Sequence, residues 1–127
     1  MMNTRILIVE DTSDLLANLT DVLEMEGYQV RGCRDVKTAM QYLSNEIPDL
    51  IITDLTMPDT DGFEFIAALR EREAFRHLRV AIFSARPRAE NIAQAISLDV
   101  RAYIQKPCPP DELVMAIDEV LKQRHAE

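Results

Sequence analysis

Apolar residues follow two alternating rhythms along this chain. Ile6-Leu7-Ile8-Val9, Leu50-Ile51-Ile52 and Val80-Ala81-Ile82-Phe83 are unbroken apolar runs, the pattern of strands buried on both faces of a parallel sheet. Tyr28-Gln29-Val30-Arg31 alternates instead, which suits an edge strand with one wetter face. Ala102-Tyr103-Ile104-Gln105 reads as a fifth, weaker strand at the opposite edge. Between the strands the period changes to that of helices. Leu15, Leu16, Leu19, Val22 and Leu23 lie on one helical face, with Thr12 or Ser13 as N-cap and Gly27 as a left-handed stop. Val36, Ala39, Met40 and Leu43 follow Asp35, and Phe63, Ile66, Ala67 and Leu69 follow Asp61-Gly62. Ala89, Ile92, Ala93 and Ile96 follow Pro87, a stripe thin in large residues that suits either plain low burial or, the preferred reading, a mobile output element. Leu113, Ala116, Ile117, Val120 and Leu121 follow Pro110; Asp111 and Glu112 open that last helix and Lys122 and Arg124 close it, matching the helix dipole.

Strand and helix therefore alternate five times. Short connections and right-handed crossovers place helices on both faces of one sheet. The predicted class is α/β: a three-layer αβα sandwich on a five-stranded parallel sheet of order 2-1-3-4-5, the flavodoxin-like arrangement. At 127 residues the chain is expected to form a single domain, 1–127.

The residue just past four of the five strands carries the chemistry; the exception is edge strand 2, ending at Gly32-Cys33. Strand 1 runs into Glu10-Asp11, strand 3 into Asp54, strand 4 into Ser84 and strand 5 into Lys106. In a parallel sheet these ends share one side, where open α/β folds bind ligands. Three carboxylates, a hydroxyl and an ammonium should converge there. Two carboxylates about 4 Å apart at an effective dielectric of about 20 repel by about 4 kcal/mol. One lysine does not balance three acids, so a divalent cation is the natural partner. An oxygen-only ligand set favours Mg²⁺, or Mn²⁺, over zinc. Such a site suits phosphoryl transfer: metal and Lys106 neutralise charge, Ser84 donates a hydrogen bond, and Asp54 is the best covalent acceptor because it ends the central strand.

Composition narrows the field. Lys and Arg total 14 against 22 Asp and Glu, a net charge of −8, which disfavours a nucleic-acid binder. The longest stretch free of charged residues is 8, against ~20 needed to span a membrane. The apolar run near the N-terminus is too short, and too close to acids, for a signal peptide. Cys33 and Cys108 make no disulfide framework and fit no zinc spacing. The cytoplasm is the expected compartment.

The motifs ILIVED at 6–11, DLTMPDTDG at 54–62, FSA at 83–85 and YIQKP at 103–107 together resemble the receiver domain of the two-component response regulators, over essentially the whole chain. The resemblance implies a phosphoacceptor switch, not a turnover enzyme. Asp54 would accept a phosphoryl group from the phosphohistidine of a sensor histidine kinase or histidine phosphotransfer protein. Asp11 and Asp54 would bind Mg²⁺ directly, with the backbone carbonyl of Thr56 as third ligand and Glu10 acting through water. Lys106, Ser84 and the backbone N–H of Ala85 would contact the phosphoryl oxygens. Tyr103 would be the aromatic switch coupled to Ser84, moving inward on phosphorylation. The Lys106-Pro107 bond would be cis. The face formed by helix 4, strand 5 and helix 5 would be read by a downstream effector protein or a fused output domain. Whether the chain is a stand-alone receiver or part of a longer regulator stays open.

Three positions depart from the commonest family pattern. The acid pair is Glu-Asp instead of Asp-Asp. Asp99 stands where glycine usually ends the fourth helix; Asp enters the left-handed region less readily, so a different turn is expected. Arg86 follows the switch serine by two residues, where its cation can reach the phosphoryl site or remain an ordinary surface charge. Other functions fit less well. An aspartyl-nucleophile phosphatase needs an acid two residues after the nucleophile, where this chain has Thr56. A flavin binder wants a Ser/Thr/Gly phosphate loop after strand 1, where this chain has two acids. A docking module without phosphorylation has no need of the intact acid, serine and lysine set.

Overall fold

The computed structural model describes residues 3–123; Arg124, expected in the last helical turn, lies outside the described residues. Five strands, β1 (Arg5–Val9), β2 (Gln29–Cys33), β3 (Leu50–Thr53), β4 (Arg79–Ser84) and β5 (Ala102–Gln105), alternate with five helices. These are α1 (Ser13–Met25), α2 (Val36–Leu43), α3 (Gly62–Arg70), α4 (Arg88–Ser97) and α5 (Pro110–Lys122). All strand pairs are parallel and the order is β2-β1-β3-β4-β5, the predicted flavodoxin-like α/β sandwich.

Strand alternation sorts the apolar runs into two cores. Leu7, Val9, Ile51, Val80 and Ile82 face Ala39, Leu43, Phe63, Phe65, Ile66 and Leu69 of α2 and α3, with Ala95 of α4. Ile6, Ile8, Leu50, Ile52, Ala81 and Phe83 face Leu19 and Leu23 of α1 and Leu113, Ile117 and Val120 of α5. Successive side chains of one strand point to opposite layers, so both cores need the unbroken runs. Among the described residues no helix is long and apolar enough to cross a membrane. Both cysteines are free.

Several local expectations are corrected. The edge strand β2 covers Gln29–Cys33 instead of 28–31, because Tyr28 belongs to the end of α1. Its N–H bonds Leu23 O (3.3 Å) and Gly27 N–H bonds Glu24 O (3.0 Å), with Gly27 at φ +97°, a complete Schellman stop. Thr12 stands at the N-cap of α1, yet its hydroxyl makes no cap bond. In α4 only Ala95 is buried; Ile96, expected on the inner stripe, is 66% exposed.

The end of α4 does not differ from the glycine pattern. Asp99 adopts φ +59°, its N–H bonds Ile96 O and that of Val100 bonds Ala95 O, both at 3.0 Å. Asp reaches this conformation because surrounding contacts hold it. Its carbonyl accepts from Arg70 Nη2 (3.4 Å) and its carboxylate pairs with Arg101 (3.6 Å). Asp99→Gly should therefore raise stability modestly, by about 0.5 kcal/mol. Relief of about 1–2 kcal/mol of left-handed strain is offset by the extra chain entropy of glycine, ~0.5–1 kcal/mol, and by loss of a solvated ion pair. Urea denaturation measures it, and a clear loss of stability contradicts the strain argument.

Candidate functional site

The C-terminal ends of β1, β3, β4 and β5 bring the singled-out residues to one edge of the sheet. Glu10 continues β1 through a bond from its N–H to Cys33 O (2.9 Å), and Asp54 continues β3 through a bond to Val9 O (3.1 Å). Both acids are thus fixed by the ladder before their side chains are considered. Glu10 is 1% exposed and Asp54 7%. Asp11, on the loop entering α1, is half-buried. One carboxylate oxygen from each of Glu10, Asp11 and Asp54 lies within 4.8 Å of the others, although Asp54 is more than forty residues along the chain from the adjacent pair Glu10-Asp11.

Lys106 enters this cluster from β5. Its Nζ donates to Glu10 Oε1 (2.9 Å) and to Asp54 Oδ2 (3.1 Å). It also lies 5.3 Å from the ring centroid of Phe83, a cation–π contact that shields one side of the ammonium. The Lys106-Pro107 bond is cis, as expected. The remaining carboxylate oxygens are held by backbone: Glu10 Oε2 accepts from Thr12 N–H (3.1 Å), and Asp54 Oδ1 from the N–H groups of Leu55 (2.7 Å) and Thr56 (3.3 Å). Glu10 thus also satisfies the N–H of Thr12, the residue that stands at the N-cap of α1.

Burial pushes the Glu10 carboxyl above the usual glutamate range, against the Lys106 and Thr12 hydrogen bonds. Burial also works against the charge of Lys106, but bonds to Glu10 and Asp54 outweigh it and raise its pKa. The lysine is thus a fixed cation that still leaves the three-acid cluster net negative. Oxygens on one octahedral Mg²⁺ lie about 3 Å apart when adjacent and about 4.2 Å when opposite, so this oxygen-only set, spaced within 4.8 Å, fits a small hard cation with water standing between it and one carboxylate.

Ser84 is fully buried at the end of β4, and its Oγ accepts from Arg86 N–H (3.2 Å). Ala85 and Thr56 are exposed beside the cluster. Tyr103 is buried in the α2–α3–α4 core, with its hydroxyl donating to Arg86 O (2.8 Å).

Four further residues support the site without having been singled out for it. Arg34 donates to Asp11 O from Nε (3.2 Å) and Nη2 (3.0 Å), holding the acid loop from the β2 side. Phe83 and Asp61 contact Lys106 and Arg86. Gly62 sits where a Cβ atom would lie 2.4 Å from Asp54 O and 2.6 Å from Leu55 Cα. The sequence signal for Gly62 was its place at a helix start directly after an acid, in a chain with 3 glycines. Phe83 stood in the FSA motif and Asp61 in the DLTMPDTDG motif without a role of their own, and Arg34 carried no signal.

Comparison with known proteins agrees with this geometry. Residues 6–118 match the family model of the response regulator receiver domain. The chain is 33% identical over 122 residues to the phosphate regulon transcriptional regulatory protein PhoB of Escherichia coli strain K12, covering 96% of this chain and 53% of that protein. It is 32% identical to the sensor histidine kinase TmoS of Ectopseudomonas mendocina, covering 96% of this chain and 12% of that one. The chain thus spans about half the length of PhoB and less of TmoS. Among solved structures, a CheY-like response regulator receiver domain protein from Methanospirillum hungatei superimposes with a TM-score of 0.86 at 28% identity, covering 94% of both chains. With the sheet order, the acid cluster and the matched motifs in agreement, the chain belongs to the response regulator receiver domain family.

Proposed function

We propose that this domain is a phosphoacceptor switch whose acceptor is Asp54. The observation that carries the reading is the Lys106 ammonium bridging Glu10 and Asp54 inside a cluster of three acids. An Asp54 oxygen attacks the phosphorus of a phosphohistidine on a kinase or histidine phosphotransfer protein. The P–O bond forms as the P–N bond breaks, and the bonding pair leaves with the imidazole. Asp11, Asp54 and the Thr56 carbonyl, with Glu10 through water, would hold Mg²⁺ (or Mn²⁺), which when bound supplies positive charge to the phosphoryl oxygens.

The chain's own groups do the rest. Backbone N–H groups of Leu55 and Thr56 hold Asp54 Oδ1, leaving Oδ2 on the Lys106 side. Lys106 follows the charge that develops on the transferred group, Ser84 Oγ turns from Arg86 N–H to donate to it, and Ala85 N–H donates from the same loop. Phosphorylation adds charge and three acceptor oxygens. The β4–α4 loop moves toward them and alters the face of α4, β5 and α5, which an effector protein or fused output domain reads. In this reading Tyr103, whose hydroxyl donates to Arg86 O, is the aromatic switch coupled to Ser84.

Incubation with an acyl phosphate and Mg²⁺, followed by intact mass measurement, tests this. A stable gain of one phosphoryl group is expected, and none in Asp54→Asn. Release of phosphate without an adduct would assign the site to a phosphatase; no reaction at all would leave a docking module.

A further inference from the structure

We propose that Arg86 is a positioning residue that couples the metal-binding loop to Tyr103, so that Mg²⁺ affinity depends on the tyrosine hydroxyl through one arginine side chain. This deepens the functional reading above and rests on it.

The side chain of Arg86 crosses from the β4–α4 loop to the loop between β3 and α3. Nε donates to Thr56 Oγ1 (3.1 Å), and Nη2 donates to Leu55 O (3.1 Å) and Asp61 Oδ1 (2.6 Å). These acceptors lie at the two ends of one loop. Leu55 and Thr56 leave β3, while Asp61 precedes α3. The ends are already joined by a bridge between Thr56 and Asp61 and by Gly62 N–H to Leu55 O (2.8 Å). Arg86 closes the same ring from outside. A planar guanidinium presents donors in a rigid fork, whereas an ammonium is a point charge, so the three-way contact is specific to arginine.

The main chain of the same residue faces the switch. Its N–H donates to Ser84 Oγ (3.2 Å) and its carbonyl accepts from Tyr103 (2.8 Å). One residue therefore touches serine, tyrosine and metal loop at once. Thr56 offers its carbonyl to the metal in the functional reading, and Arg86 holds the hydroxyl of that same residue. The orientation of the loop is thus set in part by Arg86, and that of Arg86 in part by Tyr103.

Charge and positioning predict opposite signs for Arg86→Ala. Removing a nearby cation should tighten Mg²⁺ binding; removing a brace should weaken it. With Mg²⁺ alone, calorimetry should show the dissociation constant of Arg86→Ala raised by about 5-fold or more. Arg86→Lys, which keeps the charge and loses the fork, should resemble alanine. Tyr103→Phe should weaken Mg²⁺ in the natural protein and add nothing in the Arg86→Ala background. Mg²⁺ should shift the ring resonances of Tyr103 in the natural protein far more than in Arg86→Ala. Arg86→Gln replaces alanine if circular dichroism shows that the alanine variant does not fold.

An unchanged or tighter dissociation constant in Arg86→Ala, or full additivity with Tyr103→Phe, overturns the coupling. If the natural protein binds Mg²⁺ and takes up phosphate while the arginine variants match it, this inference alone is lost. A natural protein that does neither overturns the functional reading as well.

Discussion

Lys106→Ala should separate metal binding from phosphoryl transfer. Transfer from an acyl phosphate is expected to fall by about 10²–10³-fold, the usual cost of removing one preorganised charge-stabilising donor. Mg²⁺ binding should persist or tighten, because the ammonium occupies Glu10 Oε1 and Asp54 Oδ2, two oxygens of the acid cluster. Stability in the absence of Mg²⁺ should drop. Removing one partner from a buried ion pair leaves the other uncompensated, and about 3 kcal/mol is expected, the low end of the range, since the Lys106 side chain keeps 18% of its exposure. Glu10, already pushed upward by burial, takes up a proton more readily and limits the loss. Added Mg²⁺ should restore much of it. Calorimetric titration, adduct formation rates and denaturation with and without Mg²⁺ measure the three effects. Equal loss of metal binding and transfer would mean that Lys106 only holds the fold.

Gly62→Ala should be destabilising at a position where helix propensity alone predicts the opposite. Gly62 opens α3, and alanine is favoured over glycine in helices by about 1 kcal/mol. The added Cβ, however, would meet Asp54 O at 2.4 Å and Leu55 Cα at 2.6 Å, with Leu55 Cδ2 at 3.1 Å. Two of these atoms are backbone and cannot rotate away. Either α3 retreats or the end of β3 moves, and overpacking of this kind costs typically ~1–3 kcal/mol. A net loss of about 2 kcal/mol is expected. The displaced backbone carries Asp54, so adduct formation should fall by at least about 10-fold, because misplacing a reacting group by an ångström costs on the order of 10²-fold. Denaturant midpoints and phosphorylation rates read both effects. A gain in stability would show that α3 has room to shift.

Much of the architecture was legible in the residues. Ile6-Leu7-Ile8-Val9 and Val80-Ala81-Ile82-Phe83 are apolar at every position because both sheet faces are covered, and the structure buries all eight. The acids after β1 and β3 and the lysine after β5 could be grouped because parallel strands send all their C-terminal ends to one side. Asp35 capping α2 through Thr38 N–H (2.7 Å) follows from local chain geometry alone. Expectations failed where contacts beyond the local pattern decided: Tyr28 bonds back to Leu23 in the α1 stop, the Thr12 hydroxyl makes no cap bond although Thr12 is the N-cap, and Ile96 lies on the outer surface.

The order of elements, the direction of the sheet and the location of the acid cluster follow from periodicity and chain polarity, which are properties of neighbouring residues and need no coordinates. The reach of Arg86 to Asp61, the grip of Arg34 on Asp11 O, the inward pose of Tyr103 and the lack of room at Gly62 belong to the folded molecule. Each depends on the distance between segments remote in the chain and on one side-chain rotamer among several. Such quantities are set only when the two cores pack and the loops above them close.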